Sequence, residues 1–246
     1  MSPISGQSVL ITGAAHGIGA ETARRLAARG ARVSLVGLGD LGAVAADCPG
    51  SITFEADVTD RDALDAAVNG TVEAFGGIDV VVWNGGGPPP GTAADITDET
   101  LEGAFALLLG PPIRLVRLCL PHLQRSPAGR VLCITSTAVI EPVPHLALSN
   151  TLRPGVTGWA KTLSRELGPN GITVNCVAPG RIDTPRMQEL YGESGPGPEV
   201  IDQIPLGRLG TPREFGDVVC FLASDRASYV SGTTVLVDGG GSHGLL

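Results

Sequence analysis

Aromatic side chains are scarce in this sequence, where Phe, Trp and Tyr together make up 4% of 246 residues. Hydrophobic residues nevertheless reach 43%, so the core has to be built from aliphatic side chains. Glycine and proline are plentiful, at 35 and 19 residues. This mixture favours a parallel sheet of aliphatic strands joined by many tight turns.

Positive charge is also in deficit, because 17 Lys and Arg face 25 Asp and Glu for a net charge of −8. This balance argues against nucleic acid as a partner, although a small cationic pocket for one phosphate is compatible with it. No apolar run reaches about 18 residues, and the N-terminus lacks the pattern of a signal peptide, so we expect neither a membrane span nor secretion.

The five cysteines, an odd number, are widely spaced and form no C-x-x-C motif or Cys/His cluster. We therefore expect reduced, mostly buried thiols in a cytoplasmic protein, and no metal site.

Short aliphatic runs alternate with longer amphipathic segments along the whole chain. The runs occupy residues 8–12, 31–37, 51–58, 78–84, 129–136, 172–179 and 233–240. Their length and bounding Gly, Asp or Pro residues predict strands buried on both faces. Seven such strands alternating with helices predict one α/β domain over residues 1–246, a doubly wound seven-stranded parallel sheet with helices on both faces.

Several residues mark where helices begin and end. Thr59 with Asp62, and Thr211 with Glu214, fit capping boxes, and Pro212 would be the first helical residue after Thr211. Gly30 is suited to end the helix that precedes it.

A glycine-rich turn follows the first strand and opens a helix, in the sequence TGAAHGIG. Gly13 permits the tight turn, Gly17 lets the backbone approach a pyrophosphate, and Gly19 allows close helix packing. The helix N-terminus then offers free N–H groups to the phosphates. The sequence thus predicts a Rossmann-type dinucleotide site, which His16 and Ile18 of the same turn would also line.

Three further motifs follow along the chain, namely Asp57-Val58 after the third strand, WNGGG at 83–87 and PGRIDT at 179–184. Together with the glycine turn, they resemble the motifs of the short-chain dehydrogenase/reductases, in particular the 3-oxoacyl-(acyl-carrier-protein) reductases. The resemblance runs from about residue 5 to about residue 241 and implies binding of a nicotinamide dinucleotide. Besides the glycine turn, the residues that it implies for cofactor binding are Asp57, Val58, Asn84, Gly85, Pro179, Gly180, Ile182 and Thr184.

The choice of coenzyme depends on the end of the second strand, where an acid would bind a ribose 2′-hydroxyl and a base a 2′-phosphate. Gly37, Leu38 and Gly39 stand there, followed by Asp40, which is either a ribose ligand or a solvated turn residue. Relatives that prefer NADP often carry a base at the position of His16. We therefore favour NADP(H) over NAD(H).

The catalytic set that the resemblance implies, Asn–Ser–Tyr–Lys, survives at one position of four. Ser136 matches the serine, whereas Ser149 stands where the acid/base tyrosine belongs, Arg153 replaces the lysine, and Leu108 replaces the asparagine. An aliphatic hydroxyl is far less acidic than a phenol, and Arg stays protonated at pH 7. Arg153 can bind the cofactor ribose or stabilise an oxyanion, but it cannot carry the proton.

Two other residues are candidates for the proton donor. His145 lies between Ser136 and Ser149, and Tyr191 lies in the segment after PGRIDTP. The competing interpretations are a loop histidine without a role and an aromatic that only covers the ligand.

Prolines predict that the backbone around this site is altered. Pro154 removes a donor to the carbonyl of Asn150, so we expect a kinked or late-starting helix that misdirects Arg153. Two further prolines, in GPPIRL at 110–115, fall near the start of, or within, the preceding helix.

Three functions are compatible with these residues. The first is an atypical NAD(P)-dependent oxidoreductase of a ketone or alcohol that uses Ser136, Ser149 and Arg153. The second is non-redox chemistry in the same cleft, namely isomerisation, dehydration or cyclisation. The third is a catalytically silent dinucleotide-binding protein.

The sequence gives less information about the substrate and the assembly. A lid over about 185–206 would contact a moderately hydrophobic small molecule through Met187, Leu190, Tyr191 and Ile204. The resemblance implies a homotetramer or homodimer.

Overall fold

One sheet of seven parallel strands forms the centre of the computed structural model, which describes residues 4–244. The strands are β1 (Ser8–Ile11), β2 (Arg32–Gly37), β3 (Ile52–Glu55), β4 (Val80–Trp83), β5 (Arg130–Ile134), β6 (Thr173–Pro179) and β7 (Thr234–Val237). Their order across the sheet is β3-β2-β1-β4-β5-β6-β7. Each predicted run contains one strand, so the doubly wound parallel sheet is confirmed.

Helices occupy both faces of this sheet. They are α1 (Gly17–Ala27), α2 (Gly42–Ala46), α3 (Arg61–Phe75), α4 (Asp98–Leu108), α5 (Gly110–Leu123), α6 (Ala147–Leu167), α7 (Pro185–Tyr191), α8 (Pro198–Ile201) and α9 (Pro212–Ala223). Side chains alternate along a strand, so Val9 and Ile11 enter the core under α1 and α9, while Leu10 enters the core under α3, α5 and α6. Two aliphatic cores therefore hold the sheet between helices.

The two edge strands differ from the prediction that all strands are buried on both faces. The residues of β3 alternate between half-buried and exposed, and those of β7 are half-buried throughout. An edge strand has a neighbour on one side only, so helices and strands cover less of it than of a central strand.

The helix ends follow local capping chemistry, with one correction. Asp60, not Thr59, caps α3, and its side chain accepts hydrogen bonds from the N–H groups of Asp62 and Ala63. Asp57 instead accepts hydrogen bonds from the backbone N–H and hydroxyl of Thr59. The capping box of Thr211 and Glu214 is present as predicted, with Pro212 at the start of α9. Gly30, with φ of 86°, follows the end of α1.

The predicted late start of the helix around Pro154 is wrong. Helix α6 begins at Ala147, before Ser149, and continues through Pro154 to Leu167. The two prolines of GPPIRL lie in the first turn of α5, where a missing N–H costs nothing, because those donors have no partner within the helix.

By length and apolar composition alone, the stretch Asp98–Leu123 could cross a membrane. It consists of α4 and α5 with a break at Leu109, and Leu115, Cys119 and Leu123 of α5 lie in the core against the sheet. A core helix of an α/β domain has this same composition.

All five cysteines are buried and free, in agreement with the predicted reduced thiols. Cys133 and Cys176, although 43 residues apart in sequence, are register partners on β5 and β6.

Gly19 provides a test of the packing between α1 and the turn before it. A Cβ atom at this position would overlap the carbonyl oxygen of Gly13 and come within 2.7 Å of the Asn84 side chain. We expect Gly19→Ala to lower the free energy of unfolding by about 1–3 kcal/mol, as overpacking does, measured by urea denaturation. The matched control is Gly103→Ala in α4, where no atom lies within 4 Å and a gain of about 0.5–1 kcal/mol is expected. Equal effects at both positions would contradict this interpretation.

Candidate active site

A cleft lies beyond the carboxyl ends of β1, β4, β5 and β6, where the strand order reverses between β1 and β4. In open α/β sheets this edge is where ligands bind. Loops after β1, β4, β5, β6 and β7 all contribute to its walls.

The loops after β1 and β4 are joined directly to each other. The Thr12 hydroxyl donates to the carbonyl of Asn84 and accepts from its N–H, each at 3.0 Å. The Asn84 side chain donates to the carbonyl of Gly13 at 3.1 Å. Gly13 has φ of 59°, and a Cβ there would come within 2.5 Å of the Asn84 carbonyl oxygen. Asn84 thus braces the glycine turn.

The turn presents a cradle of the kind that a pyrophosphate needs. Gly17 has φ of 58° and faces Thr184, whose side chain would lie 3.5 Å from a Cβ at position 17. His16 precedes α1 without a side-chain cap, so the first N–H groups of the helix are not capped by it. Gly13, His16, Gly17 and Ile18 line the cleft, whereas Gly19 packs beneath it.

The segment 179–184 forms the opposite wall. Gly180 lies against Asp238, to whose Cβ an added methyl would approach within 2.6 Å, and its N–H donates to the carbonyl of Val237. Pro179, Ile182 and Thr184 line the cleft beside it. The motif is therefore placed where a ligand can contact it.

The residues expected to contact the adenosine half lie farther out. Asp57 is exposed and Val58 buried after β3, and neither lines the main cleft. Asp40 accepts a hydrogen bond from the N–H of Gly42 at 2.7 Å, as in a turn. Leu38 is 60% exposed. The end of β2 thus offers no acid other than one engaged in its own turn.

Ser136, Ser149 and Arg153 all line the cleft. Ser136 follows β5 and caps a short 3-10 turn by accepting from the N–H of Ala138. Ser149 is buried on α6, and Arg153 lies one helical turn further along. Residues four apart share a face of a helix, so Ser149 and Arg153 reach the cleft from the same side of α6.

Arg153 bridges the ends of two strands. Its guanidinium donates to the carbonyls of Thr135 and Gly86, each at 3.0 Å, and to that of Ile134 at 3.4 Å. Burial, and next the charge of Arg186, lower the pKa of Arg153 to about 10, so it stays charged at neutral pH. Helix α6 continues through Pro154, and Arg153 lies in the cleft lining. The expectation that Pro154 gives this side chain another direction than the family lysine stays a prediction.

Leu108 belongs to a small apolar cluster beside this site. It is 2% exposed and packs with Ala104 of α4 and with Leu148 and Leu152 of α6. Leu148 precedes Ser149 and Leu152 precedes Arg153, so apolar side chains surround Leu108, the position at which the family resemblance implies a polar residue.

The candidate proton donors differ in their placement. His145 is exposed, has φ of 59° and is not among the residues that line the cleft. Tyr191, at the end of α7, lines the cleft and is 38% exposed.

Sequence reasoning missed a third candidate, His243. Its imidazole Nδ1 lies 3.7 Å from Oε1 of Glu141, and its backbone N–H donates to Oε2 of the same carboxylate at 3.1 Å. Both residues line the cleft. Only the folded chain brings position 243 to position 141, so no sequence signal announced the pair.

Asp238 anchors the segment that carries His243. It accepts hydrogen bonds from the N–H groups of Gly240 and Ser242, each at 2.9 Å. Burial raises the pKa of Asp238, but the hydrogen bonds of Ser242 and Gly240 outweigh this and hold that pKa below its usual value.

The lid also needs a correction. Met187, Leu190 and Tyr191 line the cleft as expected, but Ile204 is 3% exposed and packs against Gly239 instead. Arg186, which the sequence reasoning did not single out, reaches the cleft from the first turn of α7. The sequence did contain one signal for its place in the cleft, because Arg186 directly follows the PGRIDTP motif.

Known proteins share this whole architecture. The family model described as enoyl-(acyl carrier protein) reductase matches residues 13–242. A cyclohexanol dehydrogenase of Rhodococcus sp. is 35% identical over 97% of each chain. The 3-oxoacyl-(acyl-carrier-protein) reductase MabA of Mycobacterium tuberculosis is 37% identical over 97% of this chain and 94% of its own.

Solved structures agree with these sequence relatives. The L-sorbose reductase of Gluconobacter frateurii, whose structure was determined with NADPH and L-sorbose, superposes with a TM-score of 0.92 at 29% identity over 100% of both chains. A short-chain dehydrogenase/reductase of Serratia marcescens superposes with a TM-score of 0.89, also at 29% identity. The fold, the family model and the sequence relatives agree, and the chain belongs to the short-chain dehydrogenase/reductase family.

Proposed function

We propose that this protein is an NAD(P)-dependent oxidoreductase that interconverts a ketone and an alcohol without the Tyr–Lys pair of its family. The observation that carries the proposal is the guanidinium of Arg153, fixed by three backbone carbonyls beside Ser136 and Ser149. The named activities of the relatives, a cyclohexanol dehydrogenase and a ketoacyl reductase, support the same reaction class.

The residues around the glycine turn fit a dinucleotide. Positive φ angles at Gly13 and Gly17, the uncapped start of α1 and the nearby Thr184 make a cradle in which side chains at the glycine positions would intrude. When bound, the cofactor supplies or accepts a hydride. Asn84, Gly85 and the segment 179–184 would hold it, and Asp57 with Val58 would meet its adenine end.

Arg153 would act on the carbonyl oxygen of the substrate. Reduction builds negative charge on that oxygen, and a fixed cation stabilises this charge more than it stabilises the neutral ground state. The hydroxyls of Ser136 and Ser149 would add hydrogen bonds to the same atom. These three residues orient the carbonyl and stabilise the alkoxide, but none of them supplies the proton.

NADP(H) is the coenzyme that we propose. His16 is exposed at the start of α1, and the carboxylate of Asp40 is held in its own turn at Gly42. A 2′-phosphate would therefore meet an imidazole rather than an unengaged acid. The L-sorbose reductase structure contains NADPH, in keeping with this choice.

Self-association is also part of the proposal, as a homodimer or homotetramer. Leu101, Phe105 and Ile113 are exposed apolar side chains on α4 and α5, Phe221 is exposed on α9, and Tyr229 is exposed after that helix. A second copy on each face would cover them.

Removing the Arg153 charge tests the proposed reaction. We expect Arg153→Gln to lower kcat for carbonyl reduction by about 100-fold or more, since an oxyanion donor is lost, measured as NADPH oxidation against a panel of ketones. Arg165→Gln, exposed on the same helix, is the matched control and should retain full activity.

Wild-type protein that binds NADPH without turnover, with activity appearing in Ser149→Tyr/Arg153→Lys, would identify a silent dinucleotide-binding protein instead. Product formation without net NADPH oxidation would identify non-redox chemistry.

The coenzyme preference is tested at Leu38. We expect Leu38→Asp to weaken NADPH binding relative to NADH on the order of tenfold, because a carboxylate repels a nearby phosphate, followed by nucleotide fluorescence. Leu38→Asn has nearly the same shape without the charge and should keep the wild-type ratio. A wild-type preference for NADH would overturn the proposed coenzyme.

The proton source is tested at His243, with His145 as the control. We expect His243→Asn to lower kcat about tenfold or more, because an imidazole beside a carboxylate can donate the proton. His145→Asn is the control, since Asn tolerates its positive φ and the side chain lies outside the cleft lining. A fall in kcat in His145→Asn alone would identify His145, and not His243, as the proton donor.

A further inference from the structure

Arg153 carries a charge that no carboxylate balances within the part of the chain that the structure describes. Each of its hydrogen bonds goes to a carbonyl oxygen, those of Gly86, Ile134 and Thr135. Its lowered pKa still leaves the guanidinium charged at neutral pH. A desolvated charge is costly unless an opposite charge or a ligand compensates it.

A second guanidinium, that of Arg186, binds the loop after β4, which Arg153 also binds. It donates to the carbonyl of Pro88 at 2.8 Å and rests on Gly87, where an added Cβ would come within 2.8 Å of its Cζ atom. Its charge is close enough to lower the pKa of Arg153. The absence of a side chain at Gly87 therefore allows two like charges to approach one cleft.

The acids that line the cleft have other partners. Glu189 is paired with Arg186 at 2.8 Å, although its side chain is 58% exposed. Asp238 accepts hydrogen bonds from backbone N–H groups, and Glu141 accepts one from the backbone N–H of His243. In a protein with a net charge of −8, the substrate side of this cleft therefore keeps an uncompensated positive charge at Arg153.

We propose that the substrate is an oxo acid or hydroxy acid whose carboxylate binds between Arg153 and Arg186. Each planar guanidinium offers N–H donors in a fork that matches a carboxylate, and two of them can engage its two oxygens. Val143, Leu146, Met187 and Leu190 give the rest of the cleft an apolar wall suited to an aliphatic chain. That this acid is reduced or oxidised rests on the proposed function, whereas the binding of its carboxylate does not.

The pyrophosphate of the dinucleotide is the other source of an oxyanion. Thr184 and Pro185 face Gly17 on the cradle side, whereas Arg186 turns to Gly87 and Pro88 after β4. Because Arg186 turns away from the phosphate cradle, we assign its charge to the substrate carboxylate. Measuring the affinity for the acid and the affinity for NADPH in each variant distinguishes the carboxylate from the pyrophosphate.

The experiment compares isocaproate with isocaproamide, its neutral amide, by calorimetric titration of NADPH-saturated protein. We expect the acid to bind at least about tenfold more tightly than the amide. Arg186→Gln should lower that preference severalfold, because Arg153 remains, and leave the Kd for NADPH within about twofold. Arg213→Gln, an exposed charge on α9, is the control and should keep the preference.

Gly87→Ala gives a second, independent route, because the added methyl group displaces the Arg186 guanidinium without removing its charge. It should reduce the preference for the acid in the same direction. Retained melting temperatures show that both variants are folded.

Equal binding of acid and amide by wild-type protein would overturn the proposal, and so would an Arg186→Gln effect on NADPH alone, which would assign the charge to the pyrophosphate. Neither probe contains a ketone, so the binding result stands apart from turnover. Preferential acid binding without reduction of α-ketoisocaproate would leave the carboxylate site intact and count against the proposed reaction.

Discussion

The reciprocal hydrogen bonds between Thr12 and Asn84 are the contact on which the site depends. They join the loops after β1 and β4 at the point where the sheet changes direction, and a crevice opens there because successive connections leave on opposite faces. The Asn84 side chain then fixes the Gly13 carbonyl, which sets the start of α1. The phosphate cradle and the loop after β4, which binds Arg153 and Arg186, both depend on these hydrogen bonds.

Two features next to the dinucleotide cradle are connected through α6. Arg153 is a planar fork that reaches carbonyls on two strand ends at once. Leu108 fills the adjoining space with hydrocarbon, together with Leu148 and Leu152 of α6. The proposed function builds on this combination, because a fixed positive charge beside apolar side chains is suited to stabilising an anion.

The sequence was sufficient for the sheet because aliphatic runs bounded by Gly, Asp and Pro are a strong local signal. It overestimated the burial of β3 and β7, since nothing within a strand says whether it has a neighbour on both sides. Thr59 and Asp60 are both good caps, and only backbone geometry selects Asp60. Motifs found Gly13, Gly17 and Ser136 in the cleft. The pair Glu141–His243 and the contact of Arg186 with Gly87 join distant segments, which periodicity and spacing do not reveal.

The cluster around Leu108 also bears on how the site could be redesigned. An asparagine at this position would place an amide among Ala104, Leu148 and Leu152, and an unsatisfied buried amide costs about 1–3 kcal/mol. Substitutions at Ser149 and Arg153 would not lower this cost, because the cluster consists of other side chains. A proton relay through position 108 would therefore need a second polar partner within the cluster, and changing the residues that line the cleft would not be enough.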